Sequence, residues 1–129
     1  MATTRAHARI DRSTDDVWAA VTEPTGITTW FPGIAACTVD GSVRHVTTST
    51  GVEVDEEIVT NDGVLRRFQY RILPGVVPVD HHLATIDVLE DGDGALVVYS
   101  CDVSPDALGP SMQQSVAGAV TGLKRLLES

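Results

Sequence analysis

Hydrophobic and polar residues alternate along seven stretches of the chain, the pattern of β-strands with one buried face. The first stretch covers residues 3–10, where Ala6, Ala8 and Ile10 share one face. The other six follow residue 33 and are separated by glycine-containing turns or, in one case, by a longer loop. They span residues 34–39, 43–48, 52–60, 65–72, 82–89 and 95–103. Short turns between successive strands predict an antiparallel meander.

A different spacing of apolar residues, typical of a helix, covers residues 110–128. The predicted apolar stripe consists of Met112, Val116, Ala119, Val120, Leu123, Leu126 and Leu127. Pro110 suits the first helical turn, so the helix is expected to begin near it, after a short turn. Beside the apolar stripe lie the small residues Ser111, Ser115, Gly118 and Gly122. They indicate either close backbone approach to the sheet or unfilled space beneath the helix.

Two short helical segments are predicted between the first and second strands. Ser13 is a suitable N-cap for the first, and Pro32-Gly33 ends the second, which covers residues 25–31. The order of elements predicts one α+β domain over residues 1–129. Its curved, seven-stranded antiparallel sheet has one face to bury and one long helix to cover it.

The composition narrows the functional classes. Eighteen acidic and nine basic residues give a net charge of −9, which argues against nucleic-acid partners and anionic membranes. No apolar run is long enough to span a membrane and no signal peptide is recognisable, so we expect a cytoplasmic protein, a monomer or a homodimer. Cys37 and Cys101 are expected to be buried free thiols. The spacing of His, Cys, Asp and Glu suggests no metal site, and no cofactor motif is present.

Alternation also assigns inward faces to the strands. Val52, Val54, Glu56 and Ile58 share one face, and the later strands turn Phe68, Tyr70, His82, Ile86, Val88 and Tyr99 inward. Glu56 is therefore an acid among apolar neighbours. It is either solvated at a strand end or held by a partner, and His82 and the two tyrosines are the inward polar groups available. The tyrosines are either core residues with paired hydroxyls or ligand contacts, and His82 is either solvated or part of a site.

Several of these segments together resemble a known family. The segment Trp30-Phe31-Pro32-Gly33, the meander, the run from Arg66 to Arg71, the loop before His81-His82-Leu83 and the closing helix are similar to the polyketide cyclase/dehydrase-like branch of the START/Bet v 1 (SRPBCC) superfamily. The resemblance covers essentially the whole chain and implies the helix-grip fold. It also implies an apolar cavity between sheet and helix, used by different members for lipid, hormone or polyketide binding and only sometimes for catalysis.

The loop over residues 73–80 has a further resemblance within that superfamily. Together with His81-His82-Leu83 it is similar to the latch loop of plant abscisic-acid receptors and their bacterial relatives, where the sequence is His-Arg-Leu. Here His82 replaces the arginine, and the Ser-Gly-Leu-Pro gate signature is absent from residues 47–52. Hormone sensing and phosphatase partnership are therefore not expected. The length of the loop and its two prolines predict a mobile lid.

Three functional hypotheses follow, of which the first is preferred. It is the binding of a small hydrophobic or aromatic molecule, lipid or polyketide-like, in a cavity between the sheet and the last helix. The alternative is a polyketide cyclase or dehydratase with His82, Glu56 or Tyr99 as acid/base groups, although no catalytic residue is identified. The third is an interaction module without a ligand. The expected ligand-binding residues are Trp30, Glu56, Phe68, Tyr70, His82, Ile86, Val88, Tyr99, Met112 and Val116.

Overall fold

The computed structural model describes all residues from 1 to 129 and shows an α+β fold. Seven strands and three α-helices follow one another in the predicted order. The strands are β1 (Ala2–Ile10), β2 (Ile34–Asp40), β3 (Val43–Thr48), β4 (Glu53–Asp62), β5 (Arg67–Ile72), β6 (His81–Asp91) and β7 (Gly94–Ser104). The helices are α1 (Thr14–Thr22), α2 (Ile27–Trp30) and α3 (Gly109–Glu128), the last preceded by a 3₁₀ turn at Asp106–Leu108. The predicted helix-grip fold is confirmed.

All seven strands form one antiparallel sheet in the order β1-β7-β6-β5-β4-β3-β2. From β2 to β7 each strand pairs with its neighbour in sequence, as the short turns predict. β1 closes onto β7, so the chain must cross from one sheet edge to the other between Ile10 and Ile34. The two short helices make that crossing.

The predicted start of β5 is wrong by two residues. Leu65 is exposed and belongs to the turn that follows β4, and the strand begins at Arg67. Arg66 in this turn has a positive φ of 55°, which interrupts extended backbone. The apolar character of Val64 and Leu65 therefore does not mark a buried strand.

Helix α1 begins as predicted. The Ser13 hydroxyl accepts a hydrogen bond from the Asp16 backbone N–H, and the acidic side chains of the first turn suit the positive end of the helix dipole. Val17 and Val21 face the core. Through this buried face the helix packs against β6 and β7.

Helix α3 packs against β1 and β7 through most of the predicted apolar stripe. Val116, Ala119, Val120 and Leu123 are buried. Leu126 is an exception, 38% exposed, although Leu127 beside it packs against the core. Pro110 lies in the first turn after the 3₁₀ segment, as expected.

Two of the predicted small residues, Gly118 and Gly122, allow close approach to the α2 segment and the residues after it, whereas Ser115 borders unfilled space beneath the helix. A Cβ atom on Gly122 would lie 2.0 Å from the Trp30 carbonyl oxygen, and one on Gly118 would lie 3.3 Å from Pro32. Any side chain at residue 122 would therefore push α2 away from α3. This contact places the segment from Trp30 to Ile34 beside the middle of α3.

The core forms between the concave face of the sheet and α3, with α1 and α2 at its end. Cys101 is a buried free thiol as predicted, whereas Cys37 is only half-buried because it lies on the edge strand β2. None of the helices combines the length and the apolar character needed to cross a membrane.

Candidate functional site

A cavity of about 180 Å³ lies between the inner face of the sheet and α3. Fifteen residues line it, eleven of them hydrophobic. They come from the α2–β2 connection, from β2 to β7, from the loop before β6 and from α3. The lining consists of Phe31, Ile34, Val46, Thr48, Val54, Glu56, Tyr70, Ile72, Val77, His82, Ala84, Cys101, Met112, Ser115 and Val116.

Glu56 is held at the wall of this cavity by Arg44. The two residues face each other across β3 and β4, and both the Nε and Nη2 atoms of Arg44 donate to Oε1 of Glu56, at 2.9 and 2.7 Å. Oε2 has no partner in the protein. Burial raises the pKa of the Glu56 carboxyl, and the charge and hydrogen bonds of Arg44 oppose that rise only in part. Arg44 itself stays protonated.

The guanidinium of Arg44 is enclosed by aromatic rings. Its Cζ atom lies 4.8 Å from the ring centroid of Tyr70 and 5.8 Å from that of Phe68. Such cation–π contacts stabilise a charge that has been removed from water. Arg44 does not line the cavity. It therefore supports Glu56 from behind while the carboxylate faces the open space.

Tyr70 and Tyr99 form a second polar pair in the same region. Their hydroxyl groups are buried and hydrogen-bonded to each other. Burial raises the pKa of both phenols, so both are neutral near neutral pH. Only Tyr70 of the two lines the cavity. The pairing satisfies two hydroxyl groups that would otherwise be unpaired in the core.

His82 contributes a hydrogen-bond donor of defined tautomer. Its Nδ1 atom accepts the backbone N–H of Ile72 at 3.0 Å, so the proton of the neutral ring lies on Nε2. Burial lowers the pKa of His82 to about 4, with a smaller contribution from the nearby His81. The ring is therefore neutral near pH 7. The partner of Nδ1 is part of the backbone, which fixes the ring orientation.

A family model described as polyketide cyclase/dehydrase and lipid transport matches residues 1–129. The chain belongs to this family. No curated protein sequence matches it at a significant level. The family thus supports hydrophobic ligand binding or a cyclase role at the level of the fold and leaves the individual ligand undefined.

Solved structures similar to this member of the polyketide cyclase/dehydrase and lipid transport family include bacterial and plant proteins. XoxI from Bacillus cereus is 23% identical with a TM-score of 0.92, and the match covers 100% of this chain and 97% of that one. A START superfamily protein from Mycobacterium smegmatis is 12% identical, with a TM-score of 0.84 and coverage of 98% and 97%. Norcoclaurine synthase from Thalictrum flavum is 18% identical, with a TM-score of 0.77 and coverage of 98% and 93%. At these identities the similarity establishes the fold.

The structure brings half of the expected ligand-binding residues of this family member to one cavity. Glu56, Tyr70, His82, Met112 and Val116 line it. The other five lie elsewhere. Phe68, Ile86, Val88 and Tyr99 are buried core residues deeper in the sheet. Trp30 is buried beside α3, and its indole N–H has no hydrogen-bond acceptor.

Residues outside the expected set complete the cavity wall and its support, and Arg44 is the most consequential. The expectation that His82 or a tyrosine would pair with Glu56 is wrong, because the register places Arg44 opposite it. A signal for this partner was available in the sequence. Val46 faces Val54 across the turn of residues 49–52, and counting two residues outward on each strand places Arg44 opposite Glu56.

Proposed function

We propose that this protein binds a small hydrophobic or aromatic molecule in the cavity beneath α3. The observation that supports the proposal is the placement of Glu56 and His82 on the wall of a space whose lining is mainly apolar, with eleven hydrophobic residues of fifteen. Both are oriented by partners within the protein and keep one atom free. Apolar lining with a few oriented polar groups is the usual composition of small-molecule sites.

The cavity volume limits the ligand that fits without rearrangement. Drug-sized ligands occupy pockets of roughly 300 to 1,000 Å³, whereas an engineered apolar cavity of about 150 Å³ holds benzene. At about 180 Å³ this cavity suits a molecule with a single ring. A lipid or a polycyclic polyketide-like molecule would need additional space.

That space is available next to the loop of residues 73–80. A groove of about 430 Å³ lies between this loop and the β3–β4 hairpin. Val46, Val54, Ile72 and Val77 line both the groove and the cavity, so they form the partition between the two. Moving Val77 with its loop would join the spaces. We therefore propose the loop as the lid, to be tested by hydrogen exchange of its amides, which should slow when a ligand is added.

The test of ligand binding uses a substitution that fills the cavity from α3. Ser115→Phe places a ring in the space without removing a core side chain, whereas Ser111→Phe, one turn earlier, is exposed and serves as the control. Native mass spectrometry of the purified protein should show a retained small molecule, and toluene should shift NMR signals of the cavity residues. Both effects should be lost in Ser115→Phe and kept in Ser111→Phe. If the wild-type protein has the mass of the polypeptide alone and toluene shifts none of its NMR signals, the proposal is refuted.

An acid/base enzyme is the second candidate function. Glu56, whose pKa is raised by burial, and a neutral His82 line one cavity, so one could accept and the other donate a proton to the same bound molecule. Tyr99, the third expected acid/base group, does not line the cavity, and its hydroxyl is paired with that of Tyr70. A linear aromatic polyketide mimic is the probe. Cyclised or dehydrated product that disappears in His82→Asn would favour the enzyme over a carrier.

A further inference from the structure

The cavity carries one formal negative charge and no positive one. Glu56 is the only acidic residue among its fifteen lining residues, and neither lysine nor arginine lines it. His82 is neutral near pH 7. A molecule that enters therefore meets one carboxylate, one neutral imidazole and mainly apolar side chains, since the hydroxyls of the other two polar lining residues, Thr48 and Ser115, are bonded to backbone groups nearby.

The charge of Glu56 is compensated on the side away from the cavity. Arg44 binds Oε1 from behind and is itself held between Tyr70 and Phe68. The ion pair has no net charge, and its negative end is the one that a ligand reaches. Oε2 remains as a free acceptor.

This arrangement treats ligands of different charge differently. A carboxylate would place its oxygens near Oε2, where the one nearby cation, Arg44, is already paired with Oε1, and burying an unpaired ion is costly. An ammonium group could donate a hydrogen bond to Oε2. The negative charge of Glu56 is already neutralised by Arg44, so it would compensate the ammonium charge only weakly. A neutral hydroxyl loses little on leaving water and can donate to Oε2.

We infer that the ligand of this cavity is an uncharged single-ring aromatic molecule with a hydroxyl group, and that the Glu56–Arg44 pair excludes carboxylates. The inference rests on the proposed function and adds a chemical class to it. His82 extends the same selection, because its Nε2–H can donate to a hydroxyl or carbonyl oxygen. A phenol supplies both a donor and an acceptor on one ring.

Four probes of similar size test the inference on the wild-type protein: phenol, toluene, benzylamine and benzoate. Affinities come from NMR titration near neutral pH, with the Ile72 amide as a reporter because its N–H is bonded to His82. Phenol should bind about tenfold more tightly than toluene, the effect of one hydrogen bond. Benzylamine should be weaker than phenol, and benzoate should produce no saturable shift.

The variant Glu56→Gln should reverse part of this order. With the carboxylate gone, Arg44 is an uncompensated cation directly behind the cavity wall, so benzoate should gain affinity and phenol should lose its advantage over toluene. Glu57→Gln is the matched control, since Glu57 is the next residue and pairs with Arg71 on the outer face of the sheet. It should leave the order of the four probes unchanged.

The outcomes separate this inference from the proposed function. Toluene binding together with benzoate as tight as phenol would overturn the charge selection and leave apolar binding intact. Failure of all four probes to bind would overturn both. If Glu56→Gln does not fold, the wild-type order of affinities still decides the inference.

Discussion

Glu56 and Glu57 are neighbours on β4, and each pairs with an arginine on an adjacent strand. Glu56 faces inward and pairs with Arg44, with side-chain exposures of 11% and 3%. Glu57 faces outward and pairs with Arg71, with exposures of 32% and 52%. The chemistry of the two pairs is the same and their Nη2–Oε1 distances are 2.7 and 2.8 Å. Only the surroundings differ.

The surroundings determine what each pair does. In the outer pair, water can replace either partner, so the interaction stabilises the fold little. In the inner pair, neither charge can return to water without opening the core, so removal of one partner exposes the desolvation penalty of the other. The inner carboxylate is consequently the one whose pKa is raised by burial and whose free oxygen is available to a ligand.

The largest effect is expected from breaking the inner pair. Glu56→Gln leaves Arg44 buried and charged, which should lower the free energy of unfolding by about 3 to 5 kcal/mol. Glu57→Gln should lower it by about 0.2 to 1 kcal/mol. Denaturant unfolding of the two variants measures the difference. Equal losses would mean that Arg44 is solvated in solution.

The double substitution Arg44→Met with Glu56→Met sharpens the same comparison. Replacing both charges by apolar side chains removes the unpaired ion, so stability should return to within about 1 kcal/mol of the wild type or exceed it. A double variant as unstable as Glu56→Gln alone would show that packing and not charge is responsible.

A second inward–outward comparison lies on α3. Leu123 is 1% exposed and Leu126 is 38% exposed. Leu123→Ala should lower the free energy of unfolding by about 2 to 5 kcal/mol through lost burial and a new cavity. Leu126→Ala should lower it by a few tenths of a kcal/mol, about the size of an ordinary surface effect. Thermal or denaturant unfolding that ranks the two in the opposite order would contradict the described packing of α3.

The pH dependence of stability tests the surroundings of His82. Burial lowers its pKa from the ordinary value of 6.5 to about 4 in the folded protein, so the unfolded chain binds the proton first as the pH falls. The neutral His82 therefore contributes roughly 3 kcal/mol to the free energy of unfolding. This contribution is complete above pH 6.5 and is lost as the pH falls toward 4. His82→Asn keeps an acceptor for the Ile72 N–H and should not lose stability in this pH range. The control His7→Gln changes an exposed histidine and should lose stability as the wild type does. Parallel curves for His82→Asn and wild type would show that His82 titrates normally.

The smallest effect is expected from the tyrosine pair. Tyr99→Phe leaves the Tyr70 hydroxyl buried without its partner and should cost about 1 kcal/mol. Adding Tyr70→Phe should recover part of that cost, because no hydroxyl remains to be satisfied. Thr60→Val removes a hydrogen bond to Gln69 on the outer face and should have a smaller effect, since water can replace it. A double tyrosine variant less stable than the single one would contradict the pairing.

Much of the fold was predictable from local patterns. The two-residue alternation of a strand predicted that Tyr70, His82 and Tyr99 point inward. The helical repeat of about 3.6 residues predicted that Val116 and Leu123 lie on the buried face of α3. These patterns depend on the residues of one element and on the fact that its apolar face must be buried. The inward position of Glu56 followed from the same rule.

The partners of these residues depended on tertiary structure. Arg44 and Glu56 lie in one hairpin, so their meeting follows once the register set by the turn of residues 49–52 is known. Whether the Tyr70 hydroxyl meets Tyr99 depends on the registers of β5, β6 and β7 together, which no single strand describes. Likewise, Gly122 contacts the Trp30 carbonyl because the α2 segment crosses α3 at that point. The alternation within a single strand contains no information about contacts between elements.

The cavity is the clearest case of this division. The inward direction of each side chain could be predicted from the sequence, since each strand and helix has its own period. The space left among them depends on how closely α3 approaches the sheet, which is determined by side chains from six strands, α3 and two connecting segments acting together. Five of the ten expected ligand residues line the space and the other five fill the core or pack beside α3. Facing inward is a local property, whereas bordering an unfilled volume is a property of the packed whole.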